Sequence, residues 1–232
     1  MKKIGITVFI VAVIIGVTIS GISKFGRAAG NIFSFNWGGG EKGSGNIKTE
    51  NREVSGFKKL DVSGAFEVEI VAQKDFSLEV EADDNLLPLI KTEVSGETLV
   101  IKTEKSIKSG NPLKIRISAP DINDIDLSGA SKVNLTNLNN DALKLDSSGA
   151  SKIKLDGTTK NFDVEMSGAS RLDAENLKAE NVSVDSSGAS QLNVFASNEL
   201  KADLSGATHV TYSGNPKNVE KKTSGASSVN QK

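Results

Sequence analysis

The chain of 232 residues contains no cysteine and a single histidine, His209. Without cysteine there are no disulfides, no thiolate metal sites and no lipid-modified cysteine anchor. With one imidazole, chemistry that relies on paired histidines is excluded. His209 also lacks an indicated partner and reads as an exposed residue of a repeat face. Aromatics are scarce, at 5% with one Trp and one Tyr, which leaves little for stacking on sugars or bases. A basic surplus is missing as well: 28 Lys plus Arg face 29 Asp plus Glu, and the first thirty residues hold basic residues only, so the remainder is mildly acidic. Nucleic acid and anionic headgroups call for a basic patch and are not expected partners.

A long apolar run occurs at the amino terminus, where Ile4 to Ser23 carries no charge. At about 1.5 Å per residue it is long enough to cross a bilayer as one transmembrane helix. Lys2 and Lys3 before it predict a cytoplasmic start and an exported remainder. Gly26-Arg27-Ala28 matches a cleavage site poorly, so a retained single-pass anchor in the cell membrane is favoured over a cleaved signal peptide and secretion. Residues 1–29 are therefore read as the anchor or signal segment. Residues 30–52 read as a Gly-rich tether, with Gly38-Gly39-Gly40 and Gly43-Ser44-Gly45. Phe33, Phe35 and Trp37 alternate within it, as aromatics at the membrane interface or as a first docked strand.

The body of the chain is organised by seven copies of Ser-Gly-Ala, with glycines at Gly64, Gly129, Gly149, Gly168, Gly188, Gly206 and Gly225. The last six lie 20, 19, 20, 18 and 19 residues apart. Four residues after the glycine every copy from Val133 onward is aliphatic (Val133, Ile153, Leu172, Leu192, Val210, Val229), and alternate positions on both sides are apolar too. Period-two burial at a fixed repeat length predicts short strands stacked one above another: an all-β, single-stranded parallel β-helix of about 19–20 residues per coil. The glycine and alanine are expected to form a sharp corner, the glycine for its backbone freedom and the alanine as a small residue facing a cramped interior. Serines on either side (Ser128, Ser148, Ser167 before; Ser131, Ser151, Ser170 after) are expected to bond to neighbours and to turn amides. A lone coil buries too few apolar side chains to fold, so stability must come from neighbours.

Residues 121–232 form the regular part. Residues 53–120 carry the same theme with interruptions. Leu60 to Ile70 matches the later columns as one coil, Phe76 to Ala82 alternates as a strand, Asp83 to Pro88 reads as a capped turn or one helical turn, and Ile90 to Glu104 reads as a hairpin around Val94-Ser95-Gly96-Glu97. A further strand is expected from Leu113 to Pro120. This irregular part is expected to cap one end of the solenoid. The Asp83–Pro88 run, the hairpin, the Pro112–Pro120 strand and the serial Ser-Gly-Ala-Ser motif together resemble the bacterial DUF2807 family, the putative auto-transporter adhesin head GIN domain, over roughly residues 55 to 229. The resemblance implies an envelope-associated parallel β-helix with an adhesin role.

One constellation carries charge. Three residues before the glycine stand Asp126, Asp146, Glu165, Asp185 and Asp203, with Asp61 in the early coil. Stacked at about 4.8 Å, such a row repels itself unless it is compensated. The column three after the glycine, beginning Lys132, Lys152 and Arg171, supplies that compensation in the plainer reading. In the sharper reading the carboxylate ladder binds Ca²⁺ or a cationic envelope component. No catalytic residue and no cofactor are expected. The leading functional expectation is a non-enzymatic, extracytoplasmic binding module on a membrane tether that contacts a surface glycan or an envelope protein. The alternatives are a polysaccharide-active β-helix enzyme, which such short coils leave little room to wall, and an envelope-stress or signalling accessory.

Overall fold

The computed structural model describes residues 39–232. The expected transmembrane helix at Ile4 to Ser23, the Gly26-Arg27-Ala28 segment weighed as a cleavage site and the Phe33, Phe35 and Trp37 set lie outside the described residues. Among the described residues no helix is long and apolar enough to cross a membrane.

The described chain is an all-β parallel solenoid of about five turns. Its regular part is built from four bent strands, Lys132–Gly149, Lys152–Gly168, Arg171–Gly188 and Gln191–Gly206. Each pairs in parallel with the next, glycine opposite glycine: Gly149 with Gly168, Gly168 with Gly188, Gly188 with Gly206. The same register extends to Asp124–Gly129 and, across a long gap in sequence, to Lys59–Gly64. The early coil is thus a true rung, and Lys59–Gly64 and Glu67–Ala72 stack against the first regular rung.

The interior is a stack of apolar columns. Val133, Ile153, Leu172, Leu192 and Val210 are buried in one; Ile125, Leu145, Val164, Val184 and Ala202 in another. Burying aliphatic side chains on both arms of each coil gives a shared core that no coil has alone.

The irregular part closes the amino-terminal end. Lys59–Gly64 pairs in parallel with Thr98–Thr103, which turns back as a hairpin onto Ile90–Ser95. Glu67–Ala72 pairs in parallel with Lys114–Ala119, whose other edge takes Ser77–Asp83 antiparallel. The helical turn expected near Asp83 to Pro88 is a 3-10 turn at Leu87–Leu89.

The tether expected over 30–52 departs from that reading in its described part. Glu41–Lys42 pairs with Ile107–Lys108, and Ile47–Arg52 runs antiparallel to Ser77–Asp83 as an added edge strand. That strand is almost wholly exposed, so it carries no apolar alternation. It is fixed instead by backbone pairing and by Arg52, whose guanidinium donates to the carbonyls of Ile90 (2.6 Å) and Leu87 (3.0 Å) and to Thr92 Oγ1 (3.0 Å).

The carboxy-terminal end closes differently. Asn218–Thr223 pairs with Gln191–Gly206 so that Lys221 stands opposite Ala202, in a column otherwise aliphatic. Its ammonium donates to the Val229 carbonyl at 3.0 Å and lies 5.3 Å from the centroid of the Tyr212 ring. A charge on the core column of the last rung discourages a further strand from adding there.

Candidate functional site

The repeated corner is built from backbone first. The glycines take positive φ, 141° at Gly149, 125° at Gly168 and 128° at Gly188, where an L side chain is strained. A Cβ at Gly149 would also strike the Gly129 carbonyl oxygen, and one at Gly168 the Gly149 oxygen. Each glycine carbonyl accepts the alanine amide of the next rung, as in Ala169 N to Gly149 O at 2.8 Å.

The alanines do not face the interior as expected: Ala130, Ala150, Ala169, Ala189 and Ala207 are exposed. The residue after them turns inward, so Ser131, Ser151, Ser170, Ser190 and Thr208 are buried. Of the two serine columns, this is the one that stitches rungs together. Ser170 Oγ accepts the Ser151 amide at 2.9 Å and donates to Gly149 O at 3.4 Å. Ser190 repeats the pattern with the Ser170 amide and Gly168 O. The hydroxyl thereby satisfies a buried amide that the bend leaves without a ladder partner. The column before the glycine stays at the surface, with one pair between Ser63 and Ser128 hydroxyls at 2.8 Å.

The carboxylates fall into register as a single row: Asp61, Asp126, Asp146, Glu165, Asp185 and Asp203 are successive cross-rung partners. Asp203 is followed by Lys222. Desolvation, and then repulsion from Asp61, Asp146 and Asp124, raises the Asp126 pKa above the ordinary carboxyl value, against the attraction of Lys144.

The cationic column after the glycine does not compensate this row. Lys132 pairs with Glu67 at 3.6 Å, while Lys152 and Arg171 line a separate groove with Glu69, Asp173 and Lys154. The corner lies between the two columns and turns their side chains onto different faces. Compensation comes from the same arm of the coil, where Lys144 reaches Asp146 at 3.0 Å and Glu165 at 3.4 Å. Lys144 stands two residues before Asp146 and so projects to the same side of the strand. The row is linear; among the described residues no group of three or more acidic, histidine or cysteine side chains is placed to hold a metal ion.

His209 is exposed on the penultimate rung. Its Nδ1 lies 3.0 Å from Ser228 Oγ, the one hydrogen-bond partner of the imidazole among the described residues.

The sequence reading missed a polar groove at the opposite bend of the coils. It measures about 830 Å³ and is lined by Gln73, Asp121, Asn123, Asn140, Thr158 and Lys160 among others. Beside it Asn198, Asn181 and Asn161 form an amide ladder: Asn198 Nδ2 donates to Asn181 Oδ1 at 2.8 Å, and Asn181 Nδ2 to Asn161 Oδ1 at 3.0 Å. Gln73 holds a positive φ of 63°, and its Nε2 donates to the carbonyls of Pro120 and Asn139, each at 3.2 Å. The signal available in sequence was the asparagine recurring seven residues before the glycine, at Asn161 and Asn181.

The sequence model of the family described as putative auto-transporter adhesin, head GIN domain, matches residues 56–216. Among solved structures, a putative adhesin from Bacteroides fragilis is similar over 83% of this chain and 100% of its own, at 23% identity and a TM-score of 0.69. This likeness shows the fold. A putative lipid binding protein from Parabacteroides distasonis matches over 82% of this chain and 98% of its own, at 20% identity and a TM-score of 0.47. No curated protein matches.

Proposed function

The chain belongs to the putative auto-transporter adhesin head GIN domain family, and from that premise we propose that it is an adhesin-like binding module, non-enzymatic and held outside the cytoplasm at the cell envelope by an amino-terminal membrane anchor. Its binding partner is a surface glycan or an envelope protein. The observation that carries this reading is the arrangement of polar side chains in register along the faces, as in the row from Asp61 to Asp203 and the amide ladder at Asn161, Asn181 and Asn198. Like groups repeated at one rung spacing present a surface suited to an extended partner, where catalysis requires unlike groups converging on one atom. The names given to the family and to the Bacteroides fragilis structure agree with it.

The test is retention of the full chain, in detergent or vesicles, on arrayed cell-wall and host glycans and on isolated envelope. Selective retention supports the module; its absence on every surface overturns it. Reducing ends released from acidic polysaccharides, and lost in Asp146→Ala, would overturn the non-enzymatic part. Membrane fractions washed with alkaline carbonate test the anchor, since a spanning helix stays with the pellet.

A further inference from the structure

The groove at the second bend carries two carbonyl oxygens that are buried and accept no hydrogen bond, Asn123 Oδ1 and Asn140 Oδ1. Buried polar atoms are paired in the great majority of cases, so two orphans in the lining of one groove ask for a donor. Asn140 has its amide nitrogen engaged, donating to Ile122 O at 2.9 Å and Asp121 Oδ1 at 3.2 Å. That orientation leaves Oδ1 as a pure acceptor. The Asn123 carboxamide makes no hydrogen bond among the described residues, and its terminal torsion is soft, so it is free to turn toward a donor in the groove. The neighbouring Gln73 adds a backbone outlier, φ 63° in a residue that is not glycine; strain of this kind persists where the surroundings hold it and clusters at binding sites.

Charge narrows the ligand. The two lysines of the lining are already engaged: Lys160 with Asp141 at 2.6 Å, and Lys178 over the Phe195 ring at 4.1 Å while donating to Glu175 O at 3.0 Å. Asp121, Asp141 and Glu180 stand against them, so no cationic excess awaits an anion. No aromatic side chain is among the lining residues, so recognition runs through edges and hydroxyls and not through ring stacking. Asn139, Thr158 and Lys178 are successive cross-rung partners, giving the floor a step of about 4.8 Å along the stack.

We propose that this groove binds a neutral, hydroxyl-rich oligosaccharide lying along the stack, whose hydroxyls donate to Asn123 Oδ1 and Asn140 Oδ1 once these two carboxamides, their oxygens closed to solvent in this structure, turn outward. The proposal rests on the adhesin-type reading and names the ligand class and its place. One groove of this kind binds weakly, in the millimolar range, and depends on many copies of the chain on one surface for firm attachment.

The test is saturation-transfer NMR on the full chain with three neutral hexasaccharides, of β-linked glucose, β-linked N-acetylglucosamine and mannose, and with hexagalacturonate as the charged comparison. At least one neutral hexamer is expected to bind in preference to hexagalacturonate. Asn123→Leu is expected to weaken that binding about tenfold while the melting temperature stays level or rises, because the orphan acceptor is removed. That combination separates a ligand contact from a structural one. Asn140→Leu is expected to lose binding as well, with a lower melting temperature because its amide bonds go too. Preference for hexagalacturonate, no binding of any neutral hexamer, or wild-type binding by Asn123→Leu overturns the groove assignment. If the chain still attaches to isolated envelope in those cases, the adhesin reading stands without it; if attachment also fails, both fall.

Discussion

A buried polar group in the repeats is satisfied by its own counterpart one rung away, whereas in the amino-terminal part it is satisfied by residues of unrelated type and distant sequence. Ser170 takes the amide of Ser151 and gives to Gly149. Asp83, 1% exposed, takes the Gly45 amide at 2.8 Å, the Ser109 hydroxyl at 2.5 Å and Asn111 Nδ2 at 3.2 Å. The first solution can be copied indefinitely and reads in sequence as a column. The second occurs once, and it ties the early edge segment to the loop after the hairpin. The repeats are therefore specified by column and the cap by individual residue, and a substitution should cost according to which of the two it breaks.

The largest difference is expected at glycine. Gly168→Ala adds a methyl against the Gly149 carbonyl oxygen at φ 125°, and should cost about 3 kcal/mol, a fall in melting temperature of roughly 6 to 12 °C for a domain of this size. Gly96→Ala, at φ 61° in the hairpin with nothing within 4 Å of the added methyl, keeps only the backbone strain and should cost about 1 kcal/mol. Equal losses in urea melts would show that stacking closeness does not decide the cost.

Next comes the contrast between the two serine columns. Ser170→Ala strands the Ser151 amide in the interior and should cost about 2 kcal/mol. Ser167→Ala, three residues earlier in an exposed column, should stay within about 0.5 kcal/mol. A similar loss for both would mean that the serines shape the turn generically.

The two ends sharpen the comparison further. The amino-terminal end is covered by antiparallel strands, while the carboxy-terminal end is guarded by Lys221. Lys221→Val restores the aliphatic column on an open rung and should leave folding intact but produce concentration-dependent self-association in sedimentation velocity. A variant that sediments as the wild type does would show that other features of Asn218–Thr223, exposed along its whole length, already protect the edge.

The repeats were legible because their physics is periodic. Glycine spacing and the aliphatic columns sufficed for strand type, parallel pairing and register, and the carboxylate row follows from the same register. The direction of a side chain at the bend was not legible: Ala169 and Ser170 are adjacent small residues, and which faces inward depends on the glycine φ that precedes them. The edge strand Ile47–Arg52 was hidden because an exposed strand on a cap carries no burial pattern, and the Gly, Asn and Ser around it mimic a linker. The groove was missed because Gln73 comes from a segment far from Asn123 and Asn140 in sequence, and only the fold brings it beside the bend between their neighbouring coils.

The smallest effect is the most discriminating, because the two regions should answer acid with opposite signs. Hydrogen bonds led by Ser109 lower the Asp83 pKa below its ordinary 3.8. Its contribution to stability is complete above that value and is lost as pH falls through it and below. Desolvation and neighbouring carboxylates raise the Asp126 pKa above 3.8, so the ionised form is disfavoured in the fold. Its cost is present at neutral pH and is relieved as pH falls through the raised value. Asp126→Asn should therefore stabilise the chain at pH 7 by about 0.2 to 1 kcal/mol, the size of one like-charge cross-strand contact. Asp83→Asn should destabilise it at the same pH. As the pH is lowered from 7 to 3, urea midpoints of the two variants should approach the wild-type curve from opposite sides, the Asp126→Asn gap closing first because its carboxyl takes up its proton at the higher pH. Variants that approach from the same side would mean that the carboxylate row is fully compensated by Lys144 and bears no strain of its own.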